Sequence, residues 1–167
     1  MKEFGQRGTN TLRRLDPGAK FLYTAFLLFS LAGLASAGAL HLDGMGTSGV
    51  QAGTYWLGDD TGMAYPKSFR QLVELTHFHL FTEPVSLLVV AHLYHLGGDL
   101  ALRKRIAIMG TTAAVAVQIA LPWALVYGSG AFGVLMFPAT IVLIGGFLYM
   151  STVATADMWG KDPKPSA

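Results

Sequence analysis

Four apolar stretches dominate this chain: Phe21–Leu40, about Leu75–Leu96, Ile106–Tyr127 and Ala131–Ala154. Each is long enough for a hydrocarbon core, which takes about 20 helical residues to cross. In lipid the backbone has to satisfy its own N–H and C=O groups, and four such spans do so most simply as a helix bundle. The expected fold is therefore all-α, an integral membrane four-helix bundle. It divides into an arm over 1–20, a transmembrane domain over 21–156 with an outer loop at 41–66, and a tail over 157–167. The second stretch holds Glu83 and several histidines, so by hydropathy it is the weakest span of the four.

Composition supports the same reading. Apolar residues make up 52% of the 167 residues and charged residues 13%, where a soluble domain carries roughly 25% charged residues. There is no cysteine, which excludes disulfides, thiolate metal centres, iron–sulfur clusters and covalent c-type haem. The basic residues flank apolar spans and form no face, so no nucleic-acid partner is expected.

Orientation follows from those basic residues. Lys2, Arg7, Arg13, Arg14 and Lys20 precede the first stretch, Arg103, Lys104 and Arg105 sit between the second and third, and Lys161 and Lys164 follow the fourth. Only Lys67 and Arg70 fall on the other side. The positive-inside rule then places both termini in the cytoplasm. The basic arm, apolar run and Ala35-Ser36-Ala37 also have the form of a cleavable signal. The run is long for a signal, and an uncleaved first helix is expected.

Local signals fill in the rest. Asp16-Pro17-Gly18 is a turn signal, and Pro66 fits a first-turn position of the second helix. Pro84 should kink that helix and Gly97-Gly98 should end it. Gly33, Ala37, Gly145 and Gly146 are expected where helices pack closely. Tyr55, Trp56 and Tyr65 in the outer loop read as interfacial anchors. Residues from Lys161 onward read as disordered.

The chemistry is concentrated on one helix. His77, His79, His92 and His95 all lie on the second span, with Glu74 and Glu83. Ionisable groups inside a membrane are costly and mark function by default. Helical periodicity sorts them into two faces. Glu74, His77, Phe81, Val85, Leu88, His92 and His95 share one stripe. His79 and Glu83 fall on the opposite side, four apart, and are expected to pair. His77 and His92 are separated by about 22 Å of rise.

Haem b is the leading cofactor on this pattern, since neutral imidazole ligates iron without cysteine. The spacing along the helix resembles that of di-haem membrane b-type cytochromes. His77, backed by Glu74 and packed by Phe81, is expected to face His41 at the outer membrane surface. His92 and His95 would need Met109, a second copy or another subunit. Copper or another metal on His77, His79 and Glu74 is the alternative. In the third reading, the histidines only hydrogen-bond between helices, in a structural subunit.

The run Tyr65-Pro-Lys-Ser-Phe-Arg-Gln-Leu-Val-Glu-Leu-Thr-His-Phe-His-Leu-Phe81 resembles a family of small bacterial four-helix membrane proteins with a Pro-Lys-Ser-Phe…Thr-His-x-His-Leu-Phe segment. The outer loop from 49 to 63 is similar too, through its aromatic-Gly-Asp-Asp pattern. The resemblance implies the four-helix fold and a His-x-His signature, with weight on His77 and His79 over His92 and His95. It implies no particular activity. The resulting expectation is an electron-transfer protein, or a subunit of a respiratory assembly, in a bacterial cytoplasmic membrane. Its partners would be lipid, further copies or a larger complex, and a soluble cytochrome docked on outer carboxylates Asp43, Asp59, Asp60 and Glu74.

Overall fold

A computed structural model describes residues 12–160. The first eleven residues and the segment from 161, including the expected disordered tail, lie outside them. Among the described residues the fold is all helical, with no strand. Helix α1 spans Pro17–Gly44, α2 Gly49–Leu57, α3 Phe69–Leu96, α4 Ala101–Tyr127 and α5 Met136–Trp159, with a 3-10 turn over Gly130–Leu135 before α5.

The helix starts are written in the sequence. Asp16 accepts the Ala19 N–H at 3.0 Å, ahead of Pro17, whose missing N–H is no loss in a first turn. Helices α2 and α3 each begin with a reciprocal capping box, Ser48 with Gln51 and Ser68 with Gln71. Such caps satisfy the orphan N–H groups of a first turn. Pro66 therefore precedes the α3 cap and is not in its first turn. Helix α3 runs unbroken through Pro84.

The outer loop is not a loop throughout. Its centre is α2, which lies over one end of the bundle and buries Trp56 to 3% exposure among Ala52, Leu72, Leu121, Leu125 and Met136. Trp56 is thus a core residue, whereas Tyr65 is exposed. Gly58, at φ +81°, turns the chain out of α2, and a Cβ there would meet the Ala64 carbonyl at 2.7 Å. A second core, built from Leu27, Leu87, Val90, Tyr94, Leu143, Phe147 and Met150, fills the other half of the bundle.

The starts of α1 and α4 and the ends of α3 and α5 meet at that other end. Arg13 bonds Asp157 at 3.1 Å, and Asp157 accepts the Gly98 N–H at 3.1 Å. Asp99 accepts the hydroxyls of Tyr94 and Tyr149, each at 2.7 Å. Residues 157–159, expected in a tail, are the last turn of α5.

Of the glycines expected at close helix contacts, Gly146 is one: a Cβ there would strike the Thr111 side chain. A Cβ at Gly33 or Gly145 would meet nothing within 4 Å beyond its own helix backbone. Among the described residues, three helical segments are long and apolar enough to cross a membrane: Pro17–Gly44, Ala101–Tyr127 and Gly130–Trp159. Helix α3 is as long as α1, but four histidines and two glutamates dilute its apolar surface.

Candidate functional site

Between the two cores, α1 and α3 stand apart and leave a cavity of about 440 Å³, closed behind by α4 and α5 and capped by α2. Its walls are mainly apolar, among them Leu34, Leu75, Phe78, Ile119, Leu143 and Ile144. Into it come His41 from α1, His79 and Glu83 from α3, Gln118 from α4 and Thr140 from α5.

Two hydrogen-bonded units organise these groups. On α3, His79 Nδ1 lies 2.6 Å from Glu83 Oε1, the i, i+4 pair expected from helical spacing. The second unit crosses three helices. The Thr140 hydroxyl donates to the Met136 carbonyl at 3.0 Å and accepts from Gln118 Nε2 at 2.9 Å. His41 Nδ1 is 3.3 Å from the same oxygen. A hydroxyl has one hydrogen. With that hydrogen on Met136, His41 donates through Nδ1 and keeps a lone pair on Nε2. Glu83 as acceptor gives His79 the same tautomer.

His41 Nε2, Glu83 Oε2 and Gln118 Oε1 are buried and have no hydrogen-bond partner among the described residues. Buried polar atoms of this kind are few in native proteins and each calls for an explanation. All three belong to side chains lining one cavity.

The other expected site residues lie elsewhere. His77, His92 and His95 are exposed and lie outside this cavity; His92 lines a separate one of about 410 Å³ with Leu12, Leu15, Tyr23 and Leu88. His77 packs on Phe81, ring centroids 5.0 Å apart, as expected. It does not converge with His41; His79 is the α3 histidine that does. Glu74 bonds Arg70 at 2.8 Å and does not back His77. Helical periodicity separates the two faces of α3 correctly, but the face turned to the interior is the one that carries His79. Glu74, His77 and His79 do not gather as a metal site; among the described residues no three His, Cys, Asp or Glu are grouped to hold a metal ion.

Gln118, Thr140, Met45 and Met136 also line the cavity, and the sequence reading did not single them out. Gln118 carried a signal, as a polar amide inside an otherwise apolar span. Of the outer carboxylates, Asp59 holds a turn by accepting the N–H groups of Met63 and Ala64 at 3.0 and 3.2 Å. Those backbone bonds, that to Ala64 foremost, set its carboxyl below the usual range.

No curated protein and no solved structure matches this sequence. A family described as a transmembrane helical domain matches over residues 44–165, which takes in α2 through α5 together with Glu83, His79, Gln118 and Thr140. The chain belongs to that family, Aq_1264_TM.

Proposed function

We propose that this is a four-span protein of a bacterial cytoplasmic membrane that binds haem b between His41 and His79 and passes electrons. The observation that carries the reading is the matched state of the two imidazoles. Each has Nδ1 held by a side chain of this protein and Nε2 left for a ligand. Metal-binding histidines are oriented in this way, through the nitrogen that does not ligate. The apolar walls suit a macrocycle, and Lys67, whose ammonium lies 4.3 Å over the Tyr55 ring at the cavity's outer edge, suits a propionate.

Chain parity supports the four spans. Helices α1 and α4 start at the same end of the bundle, so if both cross the membrane the chain between them must cross back. Only α3 is long enough to do so, at about 1.5 Å of rise per residue. The distribution of Lys and Arg supports cytoplasmic termini. Electron exchange with a soluble cytochrome at the outer face belongs to the same proposal, with association that weakens as salt rises.

Copper is the second reading, because Met45 and Met136 line the same cavity and thioether sulfur with imidazole suits Cu(I). A visible spectrum of purified protein, oxidised and dithionite-reduced, separates the readings. A Soret and α-band support haem. Colourless protein with stoichiometric copper supports the second reading, and colourless, metal-free protein leaves a structural subunit.

A further inference from the structure

The two imidazoles that meet in the cavity are held unequally. His79 Nδ1 lies 2.6 Å from Glu83 Oε1, one turn on in the same helix. The partner is a carboxylate, and the pair stays together however the neighbouring helices move. His41 Nδ1 lies 3.3 Å from the Thr140 hydroxyl oxygen, on α5. That bond is longer, and its acceptor is neutral and already takes the Gln118 amide. It also lasts only while α1 keeps its register against α5. Hydrogen bonds to ionised acceptors are roughly twice as strong as neutral ones. A carboxylate behind an imidazole also strengthens the other ring nitrogen as a ligand. His79 is therefore the firm ligand of the two, and His41 the exchangeable one.

The exchangeable side also adjoins a way in. A second pocket, of about 640 Å³, lies between the end of α1, α2 and the residues around Lys67. It shares Asp43, Gly44 and Tyr55 with the cavity, and the first two follow His41 directly on α1. Tyr55 stands as the partition. A Cβ at Gly44 would meet its ring at 3.0 Å, and Lys67 Nζ lies 4.3 Å over its centroid. The cavity walls are mainly apolar, and its other open atoms, Glu83 Oε2 and Gln118 Oε1, are negative in charge or dipole. In a poorly screened interior these repel an anion and tolerate a small neutral molecule.

We infer that a neutral diatomic gas enters through this outer pocket and replaces His41 at the metal, while His79 keeps its bond. The exchange rests on the haem reading above, and it makes the site a receptor for the gas as well as an electron carrier.

Carbon monoxide is the probe. Full-chain protein carrying haem and reduced with dithionite should shift its Soret band when CO is added. Thr140→Val removes the hold on His41 and should tighten CO binding by about tenfold, the scale of one lost supporting hydrogen bond. Thr140→Ser keeps the hydroxyl and should match the parent. After photolysis of CO, the iron–histidine stretching band should move in Glu83→Gln and stay in Thr140→Val, because His79 is the ligand that remains. Tyr55→Ala should speed CO association severalfold, and azide should leave the oxidised parent's spectrum unchanged. A parental Soret band that CO does not move overturns exchange at His41 and leaves the haem reading standing, whereas a parent with no Soret band removes both. A stretching band unmoved by Glu83→Gln means that His79 is not the ligand that stays. Azide binding overturns the neutral class of ligand, and an unchanged association rate in Tyr55→Ala overturns entry through the outer pocket.

Discussion

Arg13 and Asp157 stand 144 positions apart in sequence and are joined twice. Arg13 Nη2 meets Asp157 Oδ1 at 3.1 Å, and Arg13 Nε donates to the Asp157 carbonyl at 3.2 Å. The other carboxylate oxygen takes the Gly98 N–H. One acidic side chain thus ties the approach to α1 and the end of α3 to the last turn of α5. The pair is largely shielded, with side chains 21% and 10% exposed. Asp157→Ala should lower stability by about 1–3 kcal/mol, the cost of losing hydrogen bonds to a charged group. A denaturant or thermal unfolding curve measures this, and an unshifted midpoint would count against it. Neither residue lines the cavity between the two cores, so any bound chromophore should keep its spectrum.

Asp99 makes the same end of the bundle sensitive to acid. The hydroxyl of Tyr94 first, then that of Tyr149, holds its carboxyl below the usual range. A carboxyl depressed in the folded state contributes stability that is present above its unfolded pKa and lost as pH falls through the folded value. The parent should therefore lose stability as pH drops below about 4. Asp99→Asn should be less stable near neutrality and show a smaller acid-dependent loss. Parallel pH profiles for the two proteins would reject this role.

Gly145 and Gly146 are adjacent and should respond oppositely to a methyl group. At Gly146 a Cβ strikes the Thr111 side chain of α4, and at Gly145 it meets open space. Gly146→Ala should destabilise by about 1–3 kcal/mol through overpacking. Gly145→Ala should be neutral or stabilising by up to about 1 kcal/mol, since alanine is the better helix former. Equal unfolding midpoints for the two variants would contradict the packing described.

The proposed haem site makes a sharp comparison among histidines. His41→Ala and His79→Ala should each lose the Soret band, while His77→Ala and His92→Ala should keep it. Glu83→Gln, which loosens the hold on His79, should lower haem content by about 10-fold or more, as loss of a supporting hydrogen bond does at metal sites. Retention of the parental haem-to-protein ratio in both His41→Ala and His79→Ala would remove these residues as axial ligands.

Topology is tested with reporters. One inserted at Gly62, where an added Cβ would meet open space, should read outside, and one at the C-terminus should read cytoplasmic. Opposite results at the C-terminus would mean that an odd number of helices crosses and that α3 does not span.

The sequence by itself determined the four long helices, because length and apolar runs act locally, but not the short α2, which reads as part of a loop. Asp16 and Ser68 mark starts within a turn of themselves, and spacing alone pairs His79 with Glu83. It also confined most of the histidines to one helix. Which face of that helix looks inward was decided only by the tertiary structure. In water an apolar stripe such as Phe81, Val85 and Leu88 would mark the core. A membrane removes that signal, because lipid is as apolar as the core and helices associate through packing and polar contacts instead. Trp56 was hidden for a related reason: an aromatic residue near a membrane surface suits both an interfacial anchor and a buried plug. The meeting of His41, Gln118 and Thr140 depends on the register of α1, α4 and α5 against one another, which no local pattern encodes.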